Sequence, residues 1–132
     1  MKATGHAGLH RISRHFPEVD EWYRRREMSI PDPTLLSDMG YMADGRVAAW
    51  LYLTNSGIAM IENVISDPHS VPSLRRQSLQ KLIGFLVDTA TALGYTTIIG
   101  VTKNKGILDI SRKFGFKEMK DYKLVVLNTE EE

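Results

Sequence analysis

Glu62 lies in the run "IAMIENVIS", where strand alternation places it on one face with Met60 and Val64. Those neighbours are apolar, so the carboxylate is expected to be partly desolvated. Desolvation raises a carboxyl pKa and suits the group to taking a proton from an amine. The competing role is structural, a pairing with an arginine or lysine of the next strand or helix. Downstream, a break at Asp67 and Pro68 leads into a helix opened by Arg75, Arg76, Gln77 and Ser78. Cations at a helix N-terminus oppose its dipole, at a cost of ~0.3–1 kcal/mol each. A bound phosphate would reverse that cost, whereas plain surface arginines would carry it. A strand, a turn and a basic helix start are the parts of an anion site, here without the glycines that commonly build one.

Other residues invite chemistry less strongly. Trp50 and Tyr52 alternate onto one strand face and could line an acceptor pocket, although aromatics so placed also form cores. His6, His10 and His15 are clustered, but Gly5 and Gly8 among them work against a helical metal face, so no metal is expected. The run "RRRE" from Arg24 to Glu27 reads as a solvated helix end. Nucleic-acid binding would need a broader basic stripe.

The elements that must position these residues follow from pattern. "LHRIS" suits a short edge strand, and "FPEVDEWYRRRE" a helix with Pro17 in its first turn, acids at its start and arginines at its end. "GYMADGRVAAWLYLT" reads as a hairpin turning at "ADG", and "NSG" turns the chain again into "IAMIENVIS". Pro72 and Ser73 start a long helix whose apolar stripe runs through Leu79, Leu82, Ile83, Leu86, Val87, Ala90 and Leu93, ending at Gly94. "TTIIGVT" is a β-branched strand, "KGILDISRKFG" a short helix closed by Gly115, and "KLVVLN" a last strand.

With 132 residues, one domain spanning 1–132 is expected, its core at about 41–128 and a flexible acidic tail at 129–132. Apolar content of 42% and charge of 25% are ordinary for a soluble domain. A net charge of +1 supplies no field to recruit nucleic acid or anionic lipid. The absence of cysteine removes disulfides, cysteine–zinc sites and thiol nucleophiles, and fits a reducing compartment. No apolar run approaches the ~20 residues that span a bilayer, and the first residues lack the apolar core of a signal peptide. A cytoplasmic, non-membrane protein is expected.

Element order and motifs together resemble the GNAT-type N-acetyltransferases, over about Tyr41 to Asn128. "ENVISDP" looks like the family's fourth strand, "LIGFLVDTATALGY" like the long helix after it, and "VTKNKGILDISRKFGF" like the fifth strand, its asparagine loop and the following helix. "GRVAAWLYLTNSGIAMIENVISDP" with "LRRQSLQKLI" resembles small acetyltransferase-like proteins of tailed bacteriophages, for which the compartment would be the host cytoplasm.

The resemblance implies an α/β (α+β) fold: a single mixed sheet with a splayed central strand pair and helices on both faces. It implies acetyl-coenzyme A as co-substrate, an amine acceptor (small molecule or protein) and Glu62 as the base. Val64, Ile65 and Ser66 would face the pantetheine arm, which Asn104 would also touch. Arg75, Arg76, Gln77 and Ser78 would occupy the pyrophosphate loop, where the family carries Gln/Arg-x-x-Gly-x-Gly/Ala. The missing glycines leave two readings open, a phosphate site rebuilt around arginines or a site lost. Where the family often has a tyrosine acid stands Ser111, with Tyr122 a substitute that no motif supports. A non-catalytic protein of the same fold, binding a host or viral partner, is the alternative. An acyl-coenzyme A-dependent nucleobase-modifying enzyme is a third, disfavoured by the charge. A homodimer is a further expected partner state.

Overall fold

The structure, a computed structural model, describes residues 8–129. His6 and residues 130–132 of the expected tail lie outside them. The elements run β1 (Leu9–Ile12), α1 (Pro17–Arg25), a 3-10 turn (Pro33–Leu35), β2 (Gly40–Ala43), β3 (Val47–Leu53), β4 (Ile58–Ser66), α2 (Pro72–Ala92), β5 (Thr97–Ile99) and α3 (Lys105–Lys113). The five strands form one sheet in the order β1-β2-β3-β4-β5. Its first three pairings are antiparallel and the last, β4 with β5, is parallel. Parallel neighbours need a crossover, and α2 supplies it.

Local chemistry explains the boundaries. Pro17 sits in the first turn of α1 with Glu18 and Asp20, and Arg24 and Arg25 occupy the last turn, so both ends complement the dipole. Asp44 (φ 55°) and Gly45 (φ 67°) form the two-residue turn of the β2–β3 hairpin, closed by Arg46 N donating to Ala43 O at 3.0 Å. Two positive φ values in succession match the twist of a hairpin.

Each face of the sheet carries a helix layer. On one, Leu79, Leu82, Ile83, Leu86 and Ala90 of α2, with Ile110 of α3, pack against Val47, Ala49, Leu51, Ala59 and Ile61. On the other, Val19, Trp22 and Tyr23 of α1 pack against Met42, Ala48, Trp50 and Ile65. Of the expected stripe, Val87 is only partly buried and Leu93, at the helix end, is 54% exposed. Trp50 reaches 1% exposure because its β2 partner is Gly40. A Cβ on Gly40 would stand 2.4 Å from Trp50 Nε1. Gly40→Ala should therefore cost ~1–3 kcal/mol as an overpacked core, read as a fall of several degrees in the thermal midpoint. An unchanged midpoint would mean that the indole has room to move.

The last strand departs from expectation. "KLVVLN" forms no strand, and Leu124, Val125, Val126 and Leu127 are 69–89% exposed. A strand requires a partner edge, and β5 stops at Ile99 rather than running on through Thr102.

Candidate active site

The site begins with a register fault. Ala48 pairs with Ile65 and Trp50 with Glu62, so Asn63 and Val64 together oppose Ala49. This is a β-bulge, and Asn63 holds φ at 59°, a left-handed conformation that asparagine tolerates better than most residues. The extra residue reverses the alternation beyond it. Glu62 lies on the α1 side with its partner Trp50, whereas Val64 packs with the α2-side core and Ile65 with the α1-side core. The expected common face of Glu62 and Val64 is thus corrected: the bulge puts them on opposite faces. Asn63 is held by Nδ2 donating to Tyr52 Oη at 2.7 Å, and Tyr52 Oη donates to Leu35 O at 3.1 Å.

The sheet parts next to this bulge. β4 and β5 pair only at Ile58–Thr97, Ala59–Ile98 and Met60–Ile99, while β4 continues to Ser66. In the crotch, Glu62 Oε1 accepts from Val101 N at 2.8 Å, replacing a backbone ladder with a side chain. Gly100 permits the approach, since a Cβ there would come within 3.1 Å of Ile61 O. No cation pairs with Glu62 among the described residues. Burial raises the Glu62 carboxyl above its ordinary pKa, and the Val101 N–H restrains the rise.

That shift has a consequence for stability. A folded state that holds the proton more tightly than the unfolded chain gains stability below the ordinary carboxylate pKa. It loses that gain as pH climbs through the raised folded value. A glutamine does not titrate, so the stability of Glu62→Gln relative to the parent should rise from acid to neutral pH. Thermal unfolding of both proteins across that range checks this, and a constant gap would contradict it.

Beside the crotch lies a cleft of about 570 Å³. Val64, Ile65 and Ser66 of β4 form one wall, and Arg75 and Arg76 of α2 another. Thr102, Lys103 and Asn104, after β5, form a third, with Arg26 and Met28 entering from beyond α1. Four lining residues are cationic (Arg26, Arg75, Arg76 and Lys103) and none is a carboxylate. α2 starts here without a side-chain cap and without an acid in its first turn. Pro72 lacks an N–H, and the Arg75 N–H bonds to Val71 O at 2.9 Å, which leaves the N–H groups of Ser73 and Leu74 for an anion.

The cations are held differently. Arg26 Nε donates to Ser66 O at 2.9 Å and its Nη2 to Ser66 Oγ at 2.7 Å. Arg75 Nη1 donates to the carbonyls of Asp67 at 3.2 Å and Pro68 at 3.3 Å. Arg76 and Lys103 have no hydrogen-bond or ion-pair partner among the described residues. Burial, with Arg75 close by, lowers the Arg26 pKa against the opposing pull of Asp67. Two guanidinium groups that disfavour each other mark a place where a negative charge would be welcome.

Asn104 lines the cleft and caps α3, its Oδ1 accepting from Ile107 N at 3.0 Å. Gln77 is exposed and does not line the cleft. Ser78 is 1% exposed, and its Oγ donates to Asp44 Oδ2 at 2.7 Å, while Lys81 Nζ donates to Asp44 Oδ1 at 2.9 Å. Burial pushes the Asp44 carboxyl up, but the bonds from Lys81 and Ser78 outweigh it and hold the pKa below the usual range. Ser78 therefore ties α2 to the β2–β3 turn. Ser111 Oγ donates to Ile107 O at 2.8 Å within its own helix, and Tyr122 is 79% exposed. Trp50 is core, and Tyr52 is half-buried beside Asn63, its phenol pKa raised chiefly by burial.

His15 Nδ1 lies 3.2 Å from Asp20, and no metal-ligand cluster occurs among the described residues. The run from Arg24 to Glu27 proves more than a solvated end. Arg25 pairs with Asp67 at 3.0 Å and Arg26 enters the cleft. Arg26 was not foreseen, and three successive arginines at a helix end were its only sequence signal.

The single five-stranded mixed sheet with its three helices matches the fold of GNAT acetyltransferases. Similar solved structures include a GNAT-family acetyltransferase from Streptococcus pneumoniae TIGR4, 12% identical, covering 92% of this chain and 97% of that one, with TM-score 0.59. An aminoglycoside acetyltransferase from an uncultured soil metagenomic sample, in complex with sisomicin, is 17% identical over 91% and 95%, with TM-score 0.61. Glucosamine-6-phosphate N-acetyltransferase from Arabidopsis thaliana is 12% identical over 92% and 95%, with TM-score 0.55. No family model matches the sequence, and no curated protein matches it. No helix among the described residues is long and apolar enough to cross a membrane.

Proposed function

We propose that the protein is an N-acyltransferase that moves an acetyl or similar acyl group from coenzyme A to an amine. The observation that carries this reading is the cleft, where four cationic side chains, no carboxylate and a bare helix start meet beside a strand parted from its neighbour. Arg76, Lys103 and the N–H groups of Ser73 and Leu74 would hold phosphate oxygens, with Arg26 and Arg75 lining the same anion site. Acetyl-coenzyme A would supply an acyl group already activated as a thioester. Glu62, its pKa raised by burial, takes the proton from the attacking amine. It keeps Oε1 on Val101 N and offers Oε2 for that proton. Backbone N–H groups of β4 beyond Met60, left without a β5 partner, support the oxyanion. Ser111 is committed to its own helix, so no side-chain acid is assigned. The coenzyme A sulfur would then leave as thiolate and take its proton from water, since a thiol of pKa ~8.5 is mostly protonated near neutral pH.

The proposed acceptor is an amine of a small molecule or a protein, and the names of two similar structures, an aminoglycoside acetyltransferase and a glucosamine-6-phosphate N-acetyltransferase, support a small molecule. A cytoplasmic setting, that of a host if the chain is phage-encoded, fits its lack of cysteine. Calorimetric titration with acetyl-coenzyme A tests the reading. Saturable binding is expected, and no binding would favour a non-catalytic, partner-binding protein of the same fold.

A further inference from the structure

The sheet register extends the face that carries Glu62. Trp50 pairs with Glu62, Tyr52 with Met60, Met60 with Ile99 and Ile58 with Thr97, and cross-strand partners point to the same side. Alternation along β4 agrees, since Ile58, Met60 and Glu62 are two residues apart. α1 covers only part of this face. Its core takes in Trp50 and, at the border, Tyr52, but neither core cluster includes Ile58, Met60 or Ile99. The opposite face shows what a cover does at the same level. There Ala59 is 0% and Ile61 6% exposed, against 38% for Ile58 and 41% for Ile99. Glu62 thus ends an uncovered apolar shelf, and an open apolar patch with one polar group at its edge is the composition of a ligand site.

Charge on the shelf is confined to one place. Among Tyr52, Ile58, Met60, Glu62, Thr97 and Ile99, only Glu62 carries a charge near neutral pH. None of the six lines the cationic cleft, so phosphate and acceptor meet different surfaces. Tyr52 Oη is already engaged with Leu35 O and Asn63 Nδ2, which leaves its ring as its contribution. A polyamine or a sugar phosphate would bring charges that this face does not answer. A peptide backbone beside the amine would meet no free polar side chain short of Thr97. We infer that the acceptor is a small primary monoamine whose apolar, preferably aromatic, substituent lies on this shelf while its nitrogen meets Glu62. The aromatic preference follows from the Tyr52–Met60 pair, since rings and thioethers both favour an aromatic neighbour. The inference rests on the acyl-transfer reading. The nitrogen would form a bond to the acyl carbon as the carbon–sulfur bond breaks, its proton passing to Glu62 and the sulfur leaving as thiolate.

Initial rates with acetyl-coenzyme A test it, comparing phenethylamine with ethanolamine, spermidine and a peptide that begins with phenylalanine. Phenethylamine is expected to exceed each of the others in kcat/KM by ~10-fold or more. Met60→Thr with Ile99→Thr should narrow its lead over ethanolamine by ~10-fold, the lower end of what lost hydrophobic contact costs a substrate. Equal or greater kcat/KM for any of the other three would overturn the inference and leave acyl transfer standing. A lead that survives the paired substitutions in a folded variant would overturn it too, by placing the substituent elsewhere. Calorimetry separates the two readings. Saturable binding of phenethylamine and not of ethanolamine, by a protein that binds no coenzyme A, would support the shelf as an amine site while removing acyl transfer.

Discussion

Glu62→Gln is expected to lower acyl transfer by ~10²–10⁴-fold, the usual contribution of a general base, while coenzyme A affinity stays nearly unchanged. The substitution is informative because of the bond to Val101. A glutamine oxygen can still accept that N–H, so the crotch between β4 and β5 keeps its shape and only basicity is lost. Glu62→Ala, by contrast, would release Val101 N, and its effect would mix geometry with chemistry. Parent activity should rise with pH through the raised Glu62 pKa or that of the acceptor amine. Thiol release from parent and variant, measured with the same amine, decides the matter. Equal release would remove Glu62 from the base role.

The second large effect falls on affinity. Arg75→Ala with Arg76→Ala should weaken coenzyme A binding by ~1.5–3 kcal/mol for each charged hydrogen bond lost. The two side chains should contribute unequally. Arg75 is already engaged by the Asp67 and Pro68 carbonyls, whereas Arg76 has no partner among the described residues. Arg76→Ala alone should therefore reproduce most of the loss, and pantetheine without its phosphates should bind parent and variant alike. Calorimetry with both ligands checks this. A double variant that binds coenzyme A as the parent does would place the phosphates elsewhere.

The fold was readable in the sequence because its signals are local and redundant. The α2 stripe, the "ADG" turn, Pro17 and the glycines after each later helix mark elements by steric rules that operate over a few residues. Site geometry depends instead on non-local facts. The phase of β4 depended on one bulged residue, which periodicity alone reads straight through. An asparagine in the middle of an apolar strand was the available hint, since asparagine is depleted from strands and tolerates positive φ. Arg26 is distant in sequence from the cleft that it lines, and only packing of α1 on the sheet brings it there. "KLVVLN" has strand composition, but composition does not supply an edge to pair with.

Parity gives the bulge a further meaning. With Asn63 removed, β4 would read Ala59, Met60, Ile61, Glu62, Val64, Ile65, and each residue would keep the face it now occupies. The core therefore does not require the extra residue, and every buried contact could be kept by a strand that ran straight on along β5. The register fault beside the cleft in this protein is one inserted amino acid in an otherwise unbroken alternation. A single-codon deletion would be the shortest route from a cleft to a closed sheet, and the reverse insertion the shortest route back.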